Sequence, residues 1–387
     1  MNKVIIGIDI SMKDFYACIK IRKETGEVKI RGTRSFENTE KGFQECLAWA
    51  MKQNKDNCPM RFVMEATGIY YENLAYFIHA SGKKVTVVLA NKIKNYIKSL
   101  NVKTKTDKVD SKVIASFGME RELDDWQPMS PVYKELRDLS RELMSIKKEK
   151  QRAMSQLHAL EKAHRKFLTV IELKKEQIQF YENAISLLKK EIKKVVNKDT
   201  ALKEKIRKAE TAPGLGFETV VSLACETNGF ELFDNIRQLV SYAGLDVTHN
   251  ESGKYKGKTR ISKRGNSRIR QALYMPSLSA TRANQPIKEL YERINERNPE
   301  SKRIGIVAGM RKLLILTYVL WKKDEEYDEN HQWNQKEPEE KAIETEVVKE
   351  QKKAEHDSSA LDRHQIDESI ETFFGTKLIK NHINQIE

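Results

Sequence analysis

Apolar and polar positions in the first 120 residues follow two alternating patterns. Short apolar runs, typical of buried strands, occur at residues 4–8, 15–21, 28–33, 62–64 and 85–89. Apolar residues spaced three and four apart predict helices at residues 41–53, 69–80 and 106–117, and a further helix from residue 91. Three strands in succession, followed by strands that alternate with helices, predict a mixed-sheet α/β domain.

A different pattern begins near residue 131, where apolar residues recur in steps of three and four over two long stretches. The first seam comprises Val132, Leu136, Leu139, Leu143, Ile146, Ala153, Leu157 and Leu160, and the second comprises Ile178, Tyr181, Ile185, Leu188, Ile192 and Val195. This heptad-like spacing predicts a long coiled-coil arm. A break at residues 164–169 leaves two arrangements open: an antiparallel helical hairpin, or arms that join copies of the chain.

The rest of the sequence changes character near residues 200 and 323. Residues 201–323 are helix-rich with a basic, glycine-containing middle, whereas residues 324–387 are polar, acidic and poor in apolar side chains. We therefore predict an α/β domain at residues 1–125, the arm at 126–200, an all-α domain at 201–323, and a flexible tail at 324–387.

Charge is distributed unevenly over these parts. The 387 residues include 70 Lys or Arg and 56 Asp or Glu, a net charge of +14. The tail has 8 basic and 18 acidic residues, which leaves 62 basic and 38 acidic residues in the body. Such a basic surplus indicates a polyanionic partner such as DNA or RNA, because neutralised phosphates release counterions. A basic protein without such a partner is the alternative.

Composition argues against several classes of protein. Hydrophobic residues make up 39% of the chain, with 13 Phe and 13 Tyr, which suffices for packed cores and excludes wholesale disorder. The four cysteines form no CxxC pair, which argues against a disulfide framework or a zinc site. No apolar run approaches the roughly 18 residues of a membrane span, and the start lacks a signal-peptide cleavage site. We expect a cytoplasmic protein outside the membrane.

Four carboxylates stand where the predicted α/β elements end or begin. They are Asp9 and Glu65, each directly after an apolar strand, and Asp107 and Asp110, three residues apart on one helix face. Carboxylate oxygens are the ligands that Mg²⁺ prefers, and two such ions would suit a displacement at phosphorus. Nearby lysines would attract a phosphate backbone: Lys103, Lys105 and Lys108. The alternative is a set of solvated acids without a metal.

A glycine-containing turn and a basic tract mark the predicted all-α domain. The turn at residues 212–216, APGLG, resembles that of a helix-hairpin-helix motif, in which backbone N–H groups near Gly214 and Gly216 would face a phosphate. Residues 254–270 then contain eight basic side chains and no acid: Lys254, Lys256, Lys258, Arg260, Lys263, Arg264, Arg268 and Arg270. Within this tract, Tyr255 could stack on a base.

Three serines beside or inside the basic tract offer a hydroxyl that could attack a phosphate. They are Ser252, Ser262 and Ser267. Ser252 precedes a glycine and is followed by cations, which would stabilise charge on a phosphate under attack. No His or Asp motif makes any of them a triad serine, so the residues alone leave the choice open.

Taken together, these motifs resemble the DEDD transposases of the insertion-sequence one-ten family, recombinases that are guided by a structured bridge RNA. The resemblance covers about residues 1–325 and rests on segments such as GIDIS, MEATGIYYENLA, KTKTDKVDSKVIA, PGLGFETVVSLACE, QLVSYAGLDVTHNESGK and GKTRISKRGNSRIRQALY. It implies a ribonuclease H-like, RuvC-like domain whose four acids bind Mg²⁺, a coiled-coil arm, and a C-terminal domain that contributes a serine nucleophile. It also implies DNA and a non-coding guide RNA as partners, in a homodimer or homotetramer.

The resemblance assigns the nucleophile to Ser252, with Ser262 as the fallback. Many family members have Ser-Ser-Gly where this chain has Glu251, Ser252 and Gly253, so the assignment rests on the Ser-Gly pair and the basic segment that follows. The acidic tail has no counterpart in the resemblance. Two alternatives stay open, a metal-dependent junction-resolving nuclease without a covalent intermediate and a non-catalytic nucleic-acid scaffold. An actin-like ATPase is disfavoured because no second Gly-rich phosphate loop is found.

Overall fold

The computed structural model describes residues 3–55, 58–101, 104, 106–248, 251–252, 255–257 and 259–329. Residues 330–387 of the predicted tail lie outside this description, as do four of the predicted nucleic-acid-binding lysines: Lys103, Lys105, Lys254 and Lys258. The chain divides into two units. The first is Met1–Thr200 with Val221–Asp234, and the second is Ala201–Val220 with the residues from Asn235 onward.

Five strands form one sheet in the first unit: β1 (Lys3–Ile10), β2 (Asp14–Arg22), β3 (Val28–Glu37), β4 (Met60–Glu65) and β5 (Lys84–Val88). Their order across the sheet is β3-β2-β1-β4-β5. The first three strands are antiparallel neighbours, whereas β4 is parallel to β1 and β5 is parallel to β4. The predicted mixed α/β sheet is therefore confirmed. Because β1, β4 and β5 run parallel to one another, their carboxyl ends lie at the same edge of the sheet.

Helices pack on both faces of this sheet: α1 (Glu40–Gln53), α2 (Glu72–Ala80), α3 (Ala90–Ser99) and α4 (Asp107–Glu120). Side chains alternate along β1, so Ile6 and Ile8 join a core with residues of α1 and α2. Ile5 points to the opposite face, where it joins Val63, Ile93 of α3 and Ile114 of α4 in a second core. Asp9 belongs to the face of Ile5, which is the face that α3 and α4 cover.

Gly7 sets how closely α4 approaches the sheet. A Cβ atom added at Gly7 would lie 2.2 Å from the backbone nitrogen of Ala115 and 2.4 Å from the carbonyl oxygen of Ser111. A Cβ added at Gly118 would lie 2.8 Å from the Cγ2 atoms of Ile5 and Val63. Because α4 lies over Gly7 with its middle and over Ile5 with its end, its first turn lies toward the end of β1.

We expect Gly7→Ala to lower the free energy of unfolding by about 1–3 kcal/mol, because the new methyl group meets the backbone of α4 rather than a side chain that can rotate away. Chemical denaturation measures this loss. Gly118→Ala is the matched comparison at the same interface, where the obstacle is two side-chain methyl groups and alanine favours the helix. A loss for Gly7→Ala no larger than that for Gly118→Ala would contradict the close approach.

Two long helices follow the sheet: α5 (Pro131–Lys162) and α6 (Leu168–Lys198). They pack along each other, with Lys150 Nζ 2.8 Å from Glu182 Oε1, and the short connection between them makes the pair an antiparallel hairpin. Near its base, the Arg141 guanidinium donates two hydrogen bonds to the buried Glu226 carboxylate, at 2.6 and 2.8 Å. Of the two arrangements left open by the sequence, the single chain forms the hairpin.

The second unit is built mainly from helices: α7 (Thr200–Glu210), α8 (Phe217–Glu226), α9 (Ile236–Ala243), α10 (Ser267–Ala283), α11 (Gln285–Arg297) and α12 (Lys302–Lys323). The division between the two units falls within α8. Four short strands lie between α9 and α10: β6 (Val247–Thr248), β7 (Glu251–Ser252), β8 (Tyr255–Lys256) and β9 (Arg260–Ile261). We refer to the described residues of this region, 247–248, 251–252, 255–257 and 259–261, as the serine ribbon.

Helix α12 forms the centre of the second unit. It packs against α9, α10 and α11, and it buries Leu313, Leu314 and Trp321 almost completely. Among the described residues, α12 is the one helix long and apolar enough to cross a membrane, but 61% of its most apolar stretch is buried in the protein. The observed packing makes α12 a core helix.

Candidate functional site

Asp9 and Glu65 lie side by side at the ends of two neighbouring parallel strands. Ile8 of β1 pairs with Met64 of β4, so the next residue on each strand is one of the two acids. Both side chains belong to the face covered by α4, and both residues are half-buried. Apolar strands thus carry two carboxylates to one end of one sheet face, as predicted from their positions after the strands.

Asp107 and Asp110 lie in the first turn of α4. The Thr106 hydroxyl caps this turn by accepting a hydrogen bond from the Val109 N–H at 3.3 Å. Acids at a helix N-terminus also interact favourably with the helix dipole, which gives them a structural reason to be there. Asp107 is exposed and Asp110 is half-buried. Because Ser111 contacts Gly7, the two acids follow the helix toward the strand ends that carry Asp9 and Glu65.

A set of hydrogen bonds, not visible in the sequence, holds the loops around these strand ends. The Asn38 amide donates to the carbonyl of Ser11 at 2.9 Å and to that of Tyr70 at 3.3 Å. The Ser11 hydroxyl donates to the Asp14 carboxylate at 2.6 Å, which closes the turn after β1. Directly after Glu65, the Ala66 N–H donates to the Val88 carbonyl at 2.9 Å. The backbone on either side of the two strand-end acids is therefore fixed.

The four acids suit a hard divalent cation in their chemistry, since all their donor atoms are carboxylate oxygens. The structure brings Asp9 and Glu65 together through the strand register, and it directs the first turn of α4 toward the same end of the sheet. Within the described ranges, no three His, Cys, Asp or Glu side chains lie close enough together to form a complete metal site. The backbones of the four acids are thus placed toward one end of the sheet, but their side chains do not converge on one point.

Ser252 lies on the serine ribbon and is exposed to solvent. It pairs with Tyr255 across strands β7 and β8, and Val247 pairs with Ile261 nearer the base of the ribbon. Tyr255 is 62% exposed. Residues paired across two antiparallel strands share a face, so Ser252 has an exposed aromatic neighbour.

Ser262 is placed differently, at the base of the ribbon. It is half-buried, and its hydroxyl donates a hydrogen bond to the Asp246 carboxylate. The same oxygen accepts a hydrogen bond from the Arg264 N–H at 3.3 Å. The hydroxyl of Ser262, the fallback serine, is therefore already hydrogen-bonded within the protein. Its partner Asp246 is 16 residues away in the sequence, so no local motif reveals the pair.

The basic tract presents several cations at the surface. The exposed residues among those predicted to bind nucleic acid are Lys108, Arg260, Lys263, Arg264 and Arg268. Arg270 is half-buried and donates from Nη1 to the Ala243 carbonyl at 2.7 Å, so one of its nitrogens already serves the fold. Lys256 belongs to β8, but its side chain lies outside the described part of the chain.

The two glycines of the APGLG turn have different surroundings. Gly214 has φ of +98°, and a Cβ there would lie 2.6 Å from the Cβ of Ala280 in α10, so packing alone requires this glycine. Gly216 has no neighbouring atom within 4 Å of an added Cβ. Its carbonyl accepts hydrogen bonds from Thr219 and Val220 at the start of α8. The open position beside a helix N-terminus is thus Gly216.

Buried thiols add no candidate nucleophile. Burial raises the pKa of Cys46 and of Cys225 to about 12, so both remain protonated near neutral pH. A protonated thiol is a poor nucleophile. Cys46 and Cys225 therefore offer no thiolate for covalent chemistry.

Two models of transposase families match the chain. A DEDD-type model, described as a transposase, matches residues 6–164, and a second, described as transposase IS116/IS110/IS902 family, matches residues 206–292. Relatives include the pilin gene-inverting proteins of Moraxella bovis and Moraxella lacunata. Each is 28% identical over 329 residues, which is 85% of this chain and 98% of the relative.

Among solved structures, the Holliday junction resolvase of fowlpox virus is similar to part of the chain. It is 17% identical, with a TM-score of 0.22, and the match covers 30% of this chain and 98% of the resolvase. Neither value is high enough to establish a common fold. The two family models, in contrast, together span more than half of the sequence. The chain belongs to the IS110 family of transposases and is a DNA transposase or recombinase.

Proposed function

We propose that this chain cuts and rejoins DNA strands to mobilise an insertion sequence, using Mg²⁺ held by Asp9, Glu65, Asp107 and Asp110 and the hydroxyl of Ser252 as nucleophile. The observation that carries the proposal is the backbone placement of two strand-end acids and of the acidic first turn of α4 toward the same end of one sheet face. The five-strand order supports the ribonuclease H-like, RuvC-like assignment that the resemblance implies.

The acidic residues form the first half of the proposed machinery. DEDD transposases typically use divalent metal ions. A bound Mg²⁺ would polarise a phosphate oxygen and stabilise charge that develops at phosphorus. The chain contributes rigidity, because the register of β1 and β4 and the contact at Gly7 fix the backbone of all four acids. We expect the side chains to rotate toward one another when the ion binds.

Ser252 forms the second half. Its Oγ would attack the phosphorus of a DNA phosphodiester, forming a serine–phosphate bond while the bond to one deoxyribose oxygen breaks. The serine gives up its proton, and the departing sugar oxygen takes one up as a hydroxyl. Attack by a sugar hydroxyl of a second DNA end would reverse these changes, releasing the serine and joining the new strands.

The exposed cations of the basic tract would bind the DNA backbone beside Ser252. We propose a structured guide RNA as the second nucleic-acid partner, which fits the basic surplus of the body. Gly216, at the start of α8, is the position in the APGLG turn that a phosphate could approach.

Each predicted part of the chain then has its own role. Residues 1–125 form the acidic catalytic domain, residues 126–200 the arm, and residues 201–323 the domain with the serine.

We further propose that the chain acts in the cytoplasm as a homodimer or homotetramer. Mixing Asp9→Asn protein with Ser252→Ala protein tests the assembly, because recovery of activity requires that one copy supply the acids and another the serine.

Strand exchange with purified protein tests the proposed function. The reaction contains donor DNA, target DNA and the RNA transcribed beside the coding region, and sequencing identifies the joined products. We expect exchange that requires Mg²⁺ and the RNA. Cleavage of branched DNA without joining, and without a covalent adduct, would favour the junction-resolving nuclease instead.

The start of the acidic tail is folded onto α7. Lys208 Nζ lies 2.8 Å from Asp324 Oδ2, Arg207 Nη1 lies 2.8 Å from Glu326 Oε1, and the Tyr327 N–H donates to the Thr211 hydroxyl at 2.8 Å. A truncation intended to keep the domain intact should therefore end after residue 329.

We expect removal of residues 330–387 to leave strand exchange unchanged and to tighten non-specific DNA binding roughly threefold at low salt. The removed segment has 13 acidic and 8 basic residues, so its loss makes the protein more basic. The gain should vanish toward about 1 M salt, where charges are screened within about 3 Å. Fluorescence anisotropy with random duplex DNA measures the effect, and equal or weaker binding would show that the tail does not repel DNA.

A further inference from the structure

The base of the serine ribbon is closed by hydrogen bonds between residues 242–246 and residues 262–266. The Ser262 N–H donates to the Asp246 carbonyl at 2.8 Å, and the Ser262 hydroxyl donates to the Asp246 carboxylate. One residue on, the Lys263 N–H donates to the Gly244 carbonyl at 3.1 Å. The consecutive residues Ser262 and Lys263 are thus both hydrogen-bonded to residues 242–246.

The backbones of the two segments are in direct contact. A Cβ added at Gly265 would lie 2.3 Å from the carbonyl oxygen of Tyr242 and 2.6 Å from the nitrogen of Gly244. Lys263 has φ of +53°, a left-handed conformation that is strained for a non-glycine residue. The chain keeps this strain at a position where the Lys263 N–H bonds to the opposite segment.

The same closure is anchored to two helices. The Asn266 N–H donates to the Tyr242 carbonyl of α9 at 2.7 Å, and the Asn266 side chain caps α10 by accepting from the Arg268 N–H at 2.9 Å. From the same first turn of α10, Arg270 donates to the Ala243 carbonyl. The base of the ribbon is therefore closed and bonded to both helices.

We propose that Asp246 and Ser262 are positioning residues that fix the direction in which the ribbon presents Ser252. This inference rests on the proposed role of Ser252 as nucleophile. The side-chain bond between Asp246 and Ser262 lies directly beside the first pair of the ribbon, Val247 with Ile261. A rotation at this base would be amplified at the far end, where Ser252 and Tyr255 lie, and a misplacement of about 1 Å can slow a reaction a hundredfold.

The same pair permits a competing interpretation, in which Asp246 is a general base that activates Ser262 as the nucleophile. The position of Ser262 argues against it. Its oxygen also accepts a hydrogen bond from the Arg264 N–H, and the residue is half-buried, whereas Ser252 is exposed. The two interpretations predict different results for the same four variants.

The experiment measures the rate of covalent protein–DNA adduct formation on saturating donor DNA, the affinity for that DNA, and the midpoint of thermal unfolding. The variants are Asp246→Asn, Asp246→Ala, Ser262→Thr and Ser262→Ala in the full chain. The Asp246→Asn variant keeps a carbonyl acceptor and the Ser262→Thr variant keeps a hydroxyl donor, so both preserve the hydrogen bond, whereas both alanines remove it. Ser241→Ala, an exposed serine of α9, is the control.

We expect adduct formation to fall about tenfold to a hundredfold in Asp246→Ala and Ser262→Ala, with DNA affinity unchanged, and to stay within about threefold of the parent in the two conservative variants. Rates in Asp246→Ala and Ser262→Ala equal to the parent rate would overturn the positioning role. Complete loss in Asp246→Asn, where the charge goes but the acceptor stays, would overturn it in favour of a general base.

Ser252→Ala separates this inference from the proposed function. If Ser252→Ala still forms the adduct, the proposed nucleophile is wrong and the positioning role falls with it. If Ser252→Ala loses the adduct while the alanine variants at 246 and 262 keep the parent rate, only the positioning role is wrong. Destabilisation can be told apart from a loss of positioning, because DNA affinity and the midpoint of thermal unfolding are measured on the same samples as the adduct rate.

Discussion

Replacing Ser252 by alanine is expected to abolish the covalent protein–DNA intermediate and to lower strand exchange by more than about a thousandfold. The alanine lacks the oxygen that would attack phosphorus, and removing a nucleophile typically costs at least this much. Because Ser252 is exposed on a short strand, the change should alter neither folding nor DNA affinity. Denaturing gels with labelled DNA detect the adduct.

Ser262→Ala and Tyr255→Phe complete this test. Ser262→Ala should slow adduct formation without abolishing it, since Ser262 is bonded at the base of the ribbon. Tyr255→Phe removes the exposed hydroxyl of the residue that pairs with Ser252 and should leave the adduct in place. Loss of the adduct in Tyr255→Phe, with retention in Ser252→Ala, would transfer the role to the tyrosine.

Asp9→Asn is expected to lower Mg²⁺-dependent strand exchange by about a hundredfold or more. The amide keeps the size of the side chain but removes the charge that would hold the ion, and a catalytic metal contributes several kcal/mol to the transition state. We expect the fold to be unchanged. Ile8 and Ile10, the neighbours of Asp9 on β1, are buried on the opposite face of the sheet and keep their packing.

Glu45→Gln is the matched control for this prediction. Glu45 forms a surface ion pair with Arg34 at 3.8 Å, and such pairs contribute about 1 kcal/mol or less. Its activity should equal that of the parent protein. Full activity in Asp9→Asn, with an unchanged dependence on Mg²⁺, would show that the strand-end acids are not metal ligands.

The apolar pattern predicted the strands and helices of the first unit closely, but their ends followed local backbone chemistry. The helix predicted from residue 69 begins at Glu72, because Gly68 has φ of +55° and the Tyr70 N–H bonds to the Thr67 carbonyl in a turn. Strand β3 extends to Glu37, four residues beyond the predicted end. It is an edge strand with mostly exposed side chains, and Phe36 is the single apolar residue among its last four, which is too little for an apolar pattern.

Asp9 and Glu65 were predicted because each follows a strand, and Asp107 and Asp110 because they share one face of a helix. The placement of the four relative to one another depends on contacts that lie outside local sequence. The parallel register of β1 and β4 sets Asp9 beside Glu65, and the absence of a side chain at Gly7 lets α4 come close. Both are long-range contacts. The Asp246–Ser262 hydrogen bond was missed for the same reason, since it joins two segments that only the folded ribbon brings together.

Mass spectrometry of the trapped protein–DNA adduct identifies the residue that attacks the DNA. Donor DNA with an interrupted strand is incubated with the protein, RNA and Mg²⁺, and the adduct is digested with protease and nuclease before fragmentation. We predict a nucleotide phosphate attached to the oxygen of Ser252. Attachment to Ser262 or Tyr255, or cleaved DNA with no residue attached, would contradict it.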